Sequence, residues 1–273
     1  MKPIKFGNEK ALLITNNSVK NNIIDKITNF YNLTIENKRY HFLDKNRAKE
    51  LKQKEHSFVL NTNGSKYFLF LTNFNGKLYS LYISRKEISL NLVKSRFAED
   101  LYEDTCIEGE IIKIEGRWFF YVSDLLLYKG NNIYNEGFEE RYSKLKHLIE
   151  NEYKSDYSLE PFTLILKDKF EYNQLKSVYD SYINSCPFKV NGYVFKNSKP
   201  SEYDILYIFP ECRNKKKKDA ITDETTDNNQ VTNNDDEDEK IFRLKTTEYP
   251  DVYELLERKI NKYSKINYAC IPN

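Results

Sequence analysis

The chain has 273 residues, enough for one large domain or two small ones with a real hydrophobic core. Its 43 Lys and Arg against 41 Asp and Glu leave a net charge of +2, so no whole-molecule field favours nucleic acid or membrane and any basic surface must be local. Hydrophobic residues at 40% and charged residues at 31% exclude a disordered or membrane-embedded chain and fit a soluble globular protein.

The 22 Tyr and 17 Phe against 8 Gly, with abundant Asn, Lys and Ile, read as a codon-level bias rather than a functional signal. Cys106, Cys186, Cys212 and Cys270 are far apart and form no CxxC pair, which argues against a zinc site or disulfide framework and for reduced thiols. The N-terminus lacks the apolar core of a signal peptide, and no apolar run approaches the ~20 residues of a membrane span. The expectation is a soluble intracellular protein, cytoplasmic or nuclear, with no membrane partner.

Residues 1–55 read as an N-terminal extension of mixed helix and strand. It has a short apolar run at Ala11 to Ile14, a helix-like stretch near Val19 to Tyr31, and a charged helix over "LDKNRAKELKQK". From Phe58 to Leu92 the period changes to two. "SFVLN", "KYFLFLT", "KLYSLYIS" and "KEISLNL" alternate like antiparallel strands, and "FNGK" at Phe74 to Lys77 is a hairpin turn. Thr105 to Tyr128 gives two more strands around a Glu115-Gly116 turn. "NEGFEERYSKLKHLIENEY" predicts an amphipathic helix with Phe138, Tyr142, Leu145, Leu148 and Ile149 on one face. "PFTLILKDKF" predicts a strand, "EYNQLKSVYDSYIN" a helix, and "FKVNGYVFKN" a strand-turn-strand unit.

Residues 213–240 are nearly devoid of apolar side chains, basic at the start and acidic at the end. Such a segment cannot bury enough surface to offset its chain entropy, and it reads as a disordered low-complexity loop inserted between strands. "KIFRLKTTE" predicts a strand. "PDVYELLERKINKYSK" predicts a terminal helix with Pro250 near its first turn. Irregular alternation with many hairpins makes the fold class α+β with antiparallel sheets and flanking helices.

The order of these units carries more than any one of them. A turn Asn61-Thr62-Asn63-Gly64-Ser65-Lys66 comes first and a Glu108-Gly109-Glu110 strand follows. Then come an aromatic run Trp118-Phe119-Phe120-Tyr121 before Asp124, a helix opening Phe138-Glu139-Glu140-Arg141, the strand Asn191-Gly192-Tyr193-Val194-Phe195, and Arg243-Leu244-Lys245. This order resembles the nucleotidyltransferase domain of mRNA capping guanylyltransferases and ATP-dependent ligases, the capping enzymes of large DNA viruses above all. The resemblance covers about residues 55–255 and implies a single guanylyltransferase-like domain over 1–273. Alternation places Phe119 and Tyr121 on one strand face, suited to stacking a base, and Arg243 and Lys245 on another, suited to a phosphate. With Lys66 and Glu110 these four are the candidate nucleotide- or cap-binding residues. Each aromatic also reads as ordinary core.

The chain departs from the family where chemistry is done. The resemblance places the nucleophilic lysine at Asn61, and an amide attacks no phosphate. Carboxylates expected beside it and in the fourth motif are Asn63 and Asn191. Residues 246–273 are too few for the closing OB barrel of active capping enzymes, so no OB domain is expected. The implied reading is a catalytically inactive protein that binds a guanine nucleotide or a capped RNA 5′ end, like the snurportin type of the same fold. No metal is expected, Mg or Mn entering with GTP only if the protein is active. Lys54 or Lys66 would then be the nucleophile. Two alternatives stay open, an active or partner-dependent guanylyltransferase subunit and a pseudo-enzyme scaffold among capping or transcription subunits.

Overall fold

A computed structural model describes residues 1–35, 40–53, 56–197, 203–213, 243–246, 252–259 and 262–270, the last three stretches as backbone. They group into two compact units, one within Met1–Thr222 and one within Asp223–Asn273. The 213–240 loop and Lys54 lie outside the described residues, Arg213 excepted.

In the first unit, β1 (Lys2–Phe6) and β2 (Glu9–Leu13) form a hairpin. Helix α1 (Asn17–Asp25) follows, capped by the Asn16 side chain, which accepts from the Ser18 and Val19 amides, and runs on as a π turn over Lys26–Phe30. The two-residue strand β3 (His41–Phe42) precedes helix α2 (Lys45–Gln53), whose Asp44 caps the Asn46 and Arg47 amides. Then come β4 (Ser57–Thr62), β5 (Ser65–Phe74), β6 (Lys77–Ser84), β7 (Leu90–Val93), β8 (Thr105–Ile114), β9 (Arg117–Tyr128) and β10 (Asn131–Asn132). Helix α3 (Phe138–His147) leads to β11 (Thr163–Leu166) and β12 (Lys169–Glu171). Short helical turns between Tyr172 and Ser185 precede β13 (Val190–Lys196), β14 (Ile205–Ile208) and a helical turn at Pro210–Arg213.

Nine strands make one sheet, in the order β1-β2-β7-β6-β5-β8-β9-β10 with β11 parallel to β9. Five make a second, β12-β4-β13-β14-β3. The expected α+β class with dominant antiparallel pairing is therefore the architecture observed. The turns at Asn75-Gly76 and Glu115-Gly116 both hold positive φ in both residues, as two-residue hairpins between right-twisted strands require. On α3, Phe138, Leu145 and the following Leu148 are buried and Tyr142 and Ile149 partly so, as the helical spacing predicts.

Four expectations need correction. The stretch Ser57 to Thr72 is not a hairpin, because β4 joins the small sheet and β5 the large one. Gly64 sits at the change of sheet with no space for a side chain; a Cβ there would lie 2.8 Å from Ile112 Cγ1 and 2.9 Å from Glu110 Cβ. "PFTLILKDKF" is two strands in different sheets, β11 on β9 and β12 on β4. "FKVNGYVFKN" holds a single strand, β13, and Asn191-Gly192 is a register irregularity within it rather than a turn. The terminal helix is instead a hairpin of β16 (Val252–Lys259) and β17 (Lys262–Cys270), with β15 (Arg243–Thr246) completing the second unit's antiparallel sheet. The Leu255-Leu256 doublet that mimics helical spacing coincides with a register shift in the β16–β17 pairing.

Candidate functional site

Besides the longer passage from β2 to β3, two short crossovers carry the chain between the sheets of the first unit, one at residues 62–65 and one at 166–169. Between them lies a cleft whose floor is β8. Strand alternation turns Glu108 and Glu110 the same way, and both carboxylates are buried. Gly109 between them faces β9, where a Cβ would lie 2.6 Å from the Tyr121 carbonyl oxygen, so only glycine lets the two strands approach.

The 62–65 crossover seats directly on this floor. The Thr62 hydroxyl donates to Glu110 Oε2, and Lys66 is the Cα partner of Glu110 in the β5–β8 ladder. From the other crossover, Lys167 reaches Glu110 Oε2 at 2.9 Å and the Leu60 carbonyl oxygen at 3.1 Å. One ammonium thus ties a carboxylate of the large sheet to the backbone of the small one.

Deeper in, Arg85 pairs with Glu108 and donates to the Ile35 carbonyl oxygen at 3.0 Å. Asp124, fully buried, takes two bonds from the Arg141 guanidinium at 2.9 and 3.0 Å, which anchors α3 to β9. Lys196 lies 3.3 Å from Asp124 and 3.3 Å from Asp204. Burial works against its charge, but those two carboxylates outweigh it and raise its pKa.

Lys66 is different. Its ammonium donates to the Tyr40 hydroxyl at 2.7 Å and sits 4.5 Å from the centre of that ring. Burial lowers its pKa. Glu110 and Glu108 pull the other way, and Arg85 and Lys167 add to the lowering. Tyr40, with its own pKa raised by burial, stays a neutral partner. Lys66 is therefore the cleft cation held by a phenol rather than a carboxylate.

The charged cavity between Lys66, Glu108, Glu110, Lys167 and Lys196 measures only about 20 Å³. Leu60 and Lys167 also line a neighbouring cavity of about 200 Å³, walled by Tyr121, Phe188, Tyr182 and Asp168. The chemistry available is anion recognition by several lysines beside an aromatic wall.

The sequence-derived residues fall as follows. Glu110 and Lys66 are in the cleft. Tyr121 is on the aromatic wall, its ring 5.0 Å from Phe188, and Phe119 lies one alternation away on the same face, 6.5 Å from Tyr121. Phe120 is core, and Trp118 packs with it on the opposite face of β9. Asn61 is half-buried on β4 between Leu60 and Thr62 and faces Gly192 across the ladder, next to half-buried Asn191; Asn63 is exposed. Arg243 and Lys245 are two positions apart on β15 in the second unit. Lys167, Arg85 and Asp204 escaped the sequence reading, and the only signal for Lys167 is a lysine ending an apolar strand. Lys196 closes the β13 motif.

The residues do not fit a divalent metal. Glu108 and Glu110 already face Arg85 and Lys167, and the third candidate carboxylate position is the amide Asn191. No helix among the described residues is long and apolar enough to cross a membrane.

No family model matches the chain, and no curated protein matches it. Among solved structures the chain is similar to an apo lysine-to-alanine mutant of a Naegleria gruberi RNA ligase, at 16% identity and TM-score 0.39, over 67% of this chain and 58% of that one. It is likewise similar to the Naegleria gruberi RNA ligase with PPi, at 16% identity and TM-score 0.40, over 68% of this chain and 59% of that one. The chain spans less than two thirds of the length of either ligase chain.

Proposed function

We propose that the cleft of the first unit binds a guanine nucleotide or a capped RNA 5′ end and holds it without transferring it. The observation that carries this reading is the seating of the 61–66 turn on Glu110 between two sheets, with an amide at position 61. The base stacks on Tyr121 in the larger cavity, with Phe119 extending that face. Base stacking on an aromatic side chain contributes roughly 1–3 kcal/mol. Lys66, Lys167 and Lys196 supply the phosphate charge.

The inner cavity is too small for a phosphate while Lys167 stays on Glu110. Binding therefore requires the Lys167 ammonium to exchange its carboxylate for phosphate oxygen. Arg243 and Lys245, on β15 of the second unit, remain candidate phosphate-binding residues within that unit.

Isothermal titration with GTP, ATP and methylated cap analogue tests the binding half. Heat with a guanine ligand is expected, and loss of it in Lys167→Met. No heat from any ligand rejects the reading and leaves the scaffold. Incubation with α-labelled GTP and Mn tests the other half, for which no adduct surviving denaturation is expected.

One observation favours the active alternative. Lys66 is a half-buried amine with no carboxylate ion pair among the described residues and with a lowered pKa, the state a lysine nucleophile needs. A covalent adduct lost in Lys66→Met would establish that alternative.

A further inference from the structure

The outer face of the small sheet, away from the cleft, carries a second cavity. Along β13, Val194 and Lys196 face the cleft, so Tyr193 and Phe195 face outward. There the rings of Tyr172, Tyr179, Tyr193, Phe195, Tyr207 and Phe209 wall a cavity of about 500 Å³, within the range of small-molecule sites.

The rings meet one another mainly edge to face. Tyr193 and Phe209 are 5.1 Å apart at 90°, Tyr179 and Phe209 5.5 Å at 81°, and Tyr207 and Phe209 5.8 Å at 76°. Walls set at right angles present ring faces from more than one direction, which a single stacked base does not use. The charged residues on the lining are Asp180 and Glu211 against one lysine, Lys176. The Tyr193 side chain is buried, and its hydroxyl has no hydrogen-bond partner among the described residues. Burial, with Tyr179, Tyr207 and Asp180 adding to it, pushes that phenol up to about 12, which keeps its hydroxyl protonated.

We propose that this cavity binds an organic cation carrying a methylated ammonium head, seated against the ring faces with Asp180 and Glu211 at its side. A cation over an aromatic face is drawn by the ring quadrupole, more strongly where water is excluded, and a methylated ammonium is cheap to desolvate. The buried lone pairs of the Tyr193 oxygen add a further negative dipole. The proposal is independent of the cleft and of what the cleft holds.

Calorimetry on the full chain tests it with choline, with a peptide bearing a trimethylated lysine, and with the neutral carbon isostere of choline, in which a tert-butyl group replaces the trimethylammonium. Binding of choline or the peptide is expected, at least about tenfold tighter than the isostere. The tighter of the two cations identifies the source as a free metabolite or a side chain. Tyr179 is 53% exposed, and Asp180 and Glu211 are exposed, so Tyr179→Ala and the pair Asp180→Asn with Glu211→Gln leave the core intact. Each is expected to weaken binding about fivefold or more. Equal affinity for the isostere, no binding of either cation at ~10 mM, or unchanged binding in both variants overturns the proposal.

Discussion

Lys167 Nζ lies 2.9 Å from Glu110 Oε2 with both side chains buried, and the same ammonium holds the Leu60 carbonyl oxygen of the opposing sheet. Removing one partner of a buried pair strands the other. Lys167→Met is therefore expected to cost about 3 kcal/mol of stability, toward the low end of such losses because Thr62 still donates to Glu110. Adding Glu110→Gln removes the stranded charge and restores most of the loss. Urea denaturation of the two singles and the double gives the coupling directly, and additive costs would show that the pair does not hold the sheets together.

Asp124 is the second such centre. Its carboxylate is fully buried and takes both Arg141 bonds, with Lys196 3.3 Å away. Asp124→Asn leaves the guanidinium and the ammonium short of a charge, and a cost of about 3–5 kcal/mol is expected in chemical denaturation. Arg96 pairs with Asp156 at 2.9 Å, but its side chain is more than half exposed. Arg96→Met is expected to cost at most about 1 kcal/mol. The contrast separates burial from mere proximity of charges.

Much of this architecture is legible in the sequence, and what is not has a common cause. Alternation and Asn-Gly or Glu-Gly turns locate β5, β6, β8 and β9, because those signals are local. The face of Tyr121 and of Glu110 follows from the same period. Which sheet a strand joins is not local. Nothing in "NTNGSK" or "LKDK" distinguishes a hairpin from a crossover; the distinction lies in what Gly64 packs against and what Lys167 pairs with, residues 40 to 60 positions away. The β16–β17 hairpin was hidden because a leucine doublet at a bulge has the spacing of a helix.

Two glycines of the first unit should respond differently to the same change. At Gly192 a Cβ would lie 1.8 Å from the Tyr207 carbonyl oxygen, a backbone atom of the neighbouring strand that cannot rotate away. Gly192→Ala must part β13 from β14 and is expected to cost more than about 3 kcal/mol, read as a large fall in melting temperature or loss of soluble protein. At Gly76 the φ is +74 and nothing lies within 4 Å of the added carbon. Gly76→Ala should cost only the strain of the left-handed turn, about 1 kcal/mol. Equal effects at the two sites would contradict the β13–β14 pairing.

Lys66 makes the cleft pH-sensitive in a calculable direction. Its folded pKa lies below the ordinary 10.5 because burial disfavours the ammonium, with Arg85 and Lys167 adding to the effect. Between the folded value and 10.5 the unfolded chain binds more protons, so stability rises with pH across that window. Below the folded value the penalty is complete. Lys66→Met removes it, so its advantage over the native chain should be largest near neutrality and narrow toward pH 10.5. An anion beside Lys66 has the opposite effect, raising its pKa by stabilising the charged form. Binding of GTP then takes up a proton, so affinity is full below the free-state value and falls as pH rises through it. Calorimetry in two buffers of different ionisation enthalpy measures that uptake. Proton uptake in the native chain at a pH between the free-state and the raised bound-state pKa, abolished in Lys66→Met, places the phosphate at Lys66, whereas binding without uptake in that window would put the ligand elsewhere.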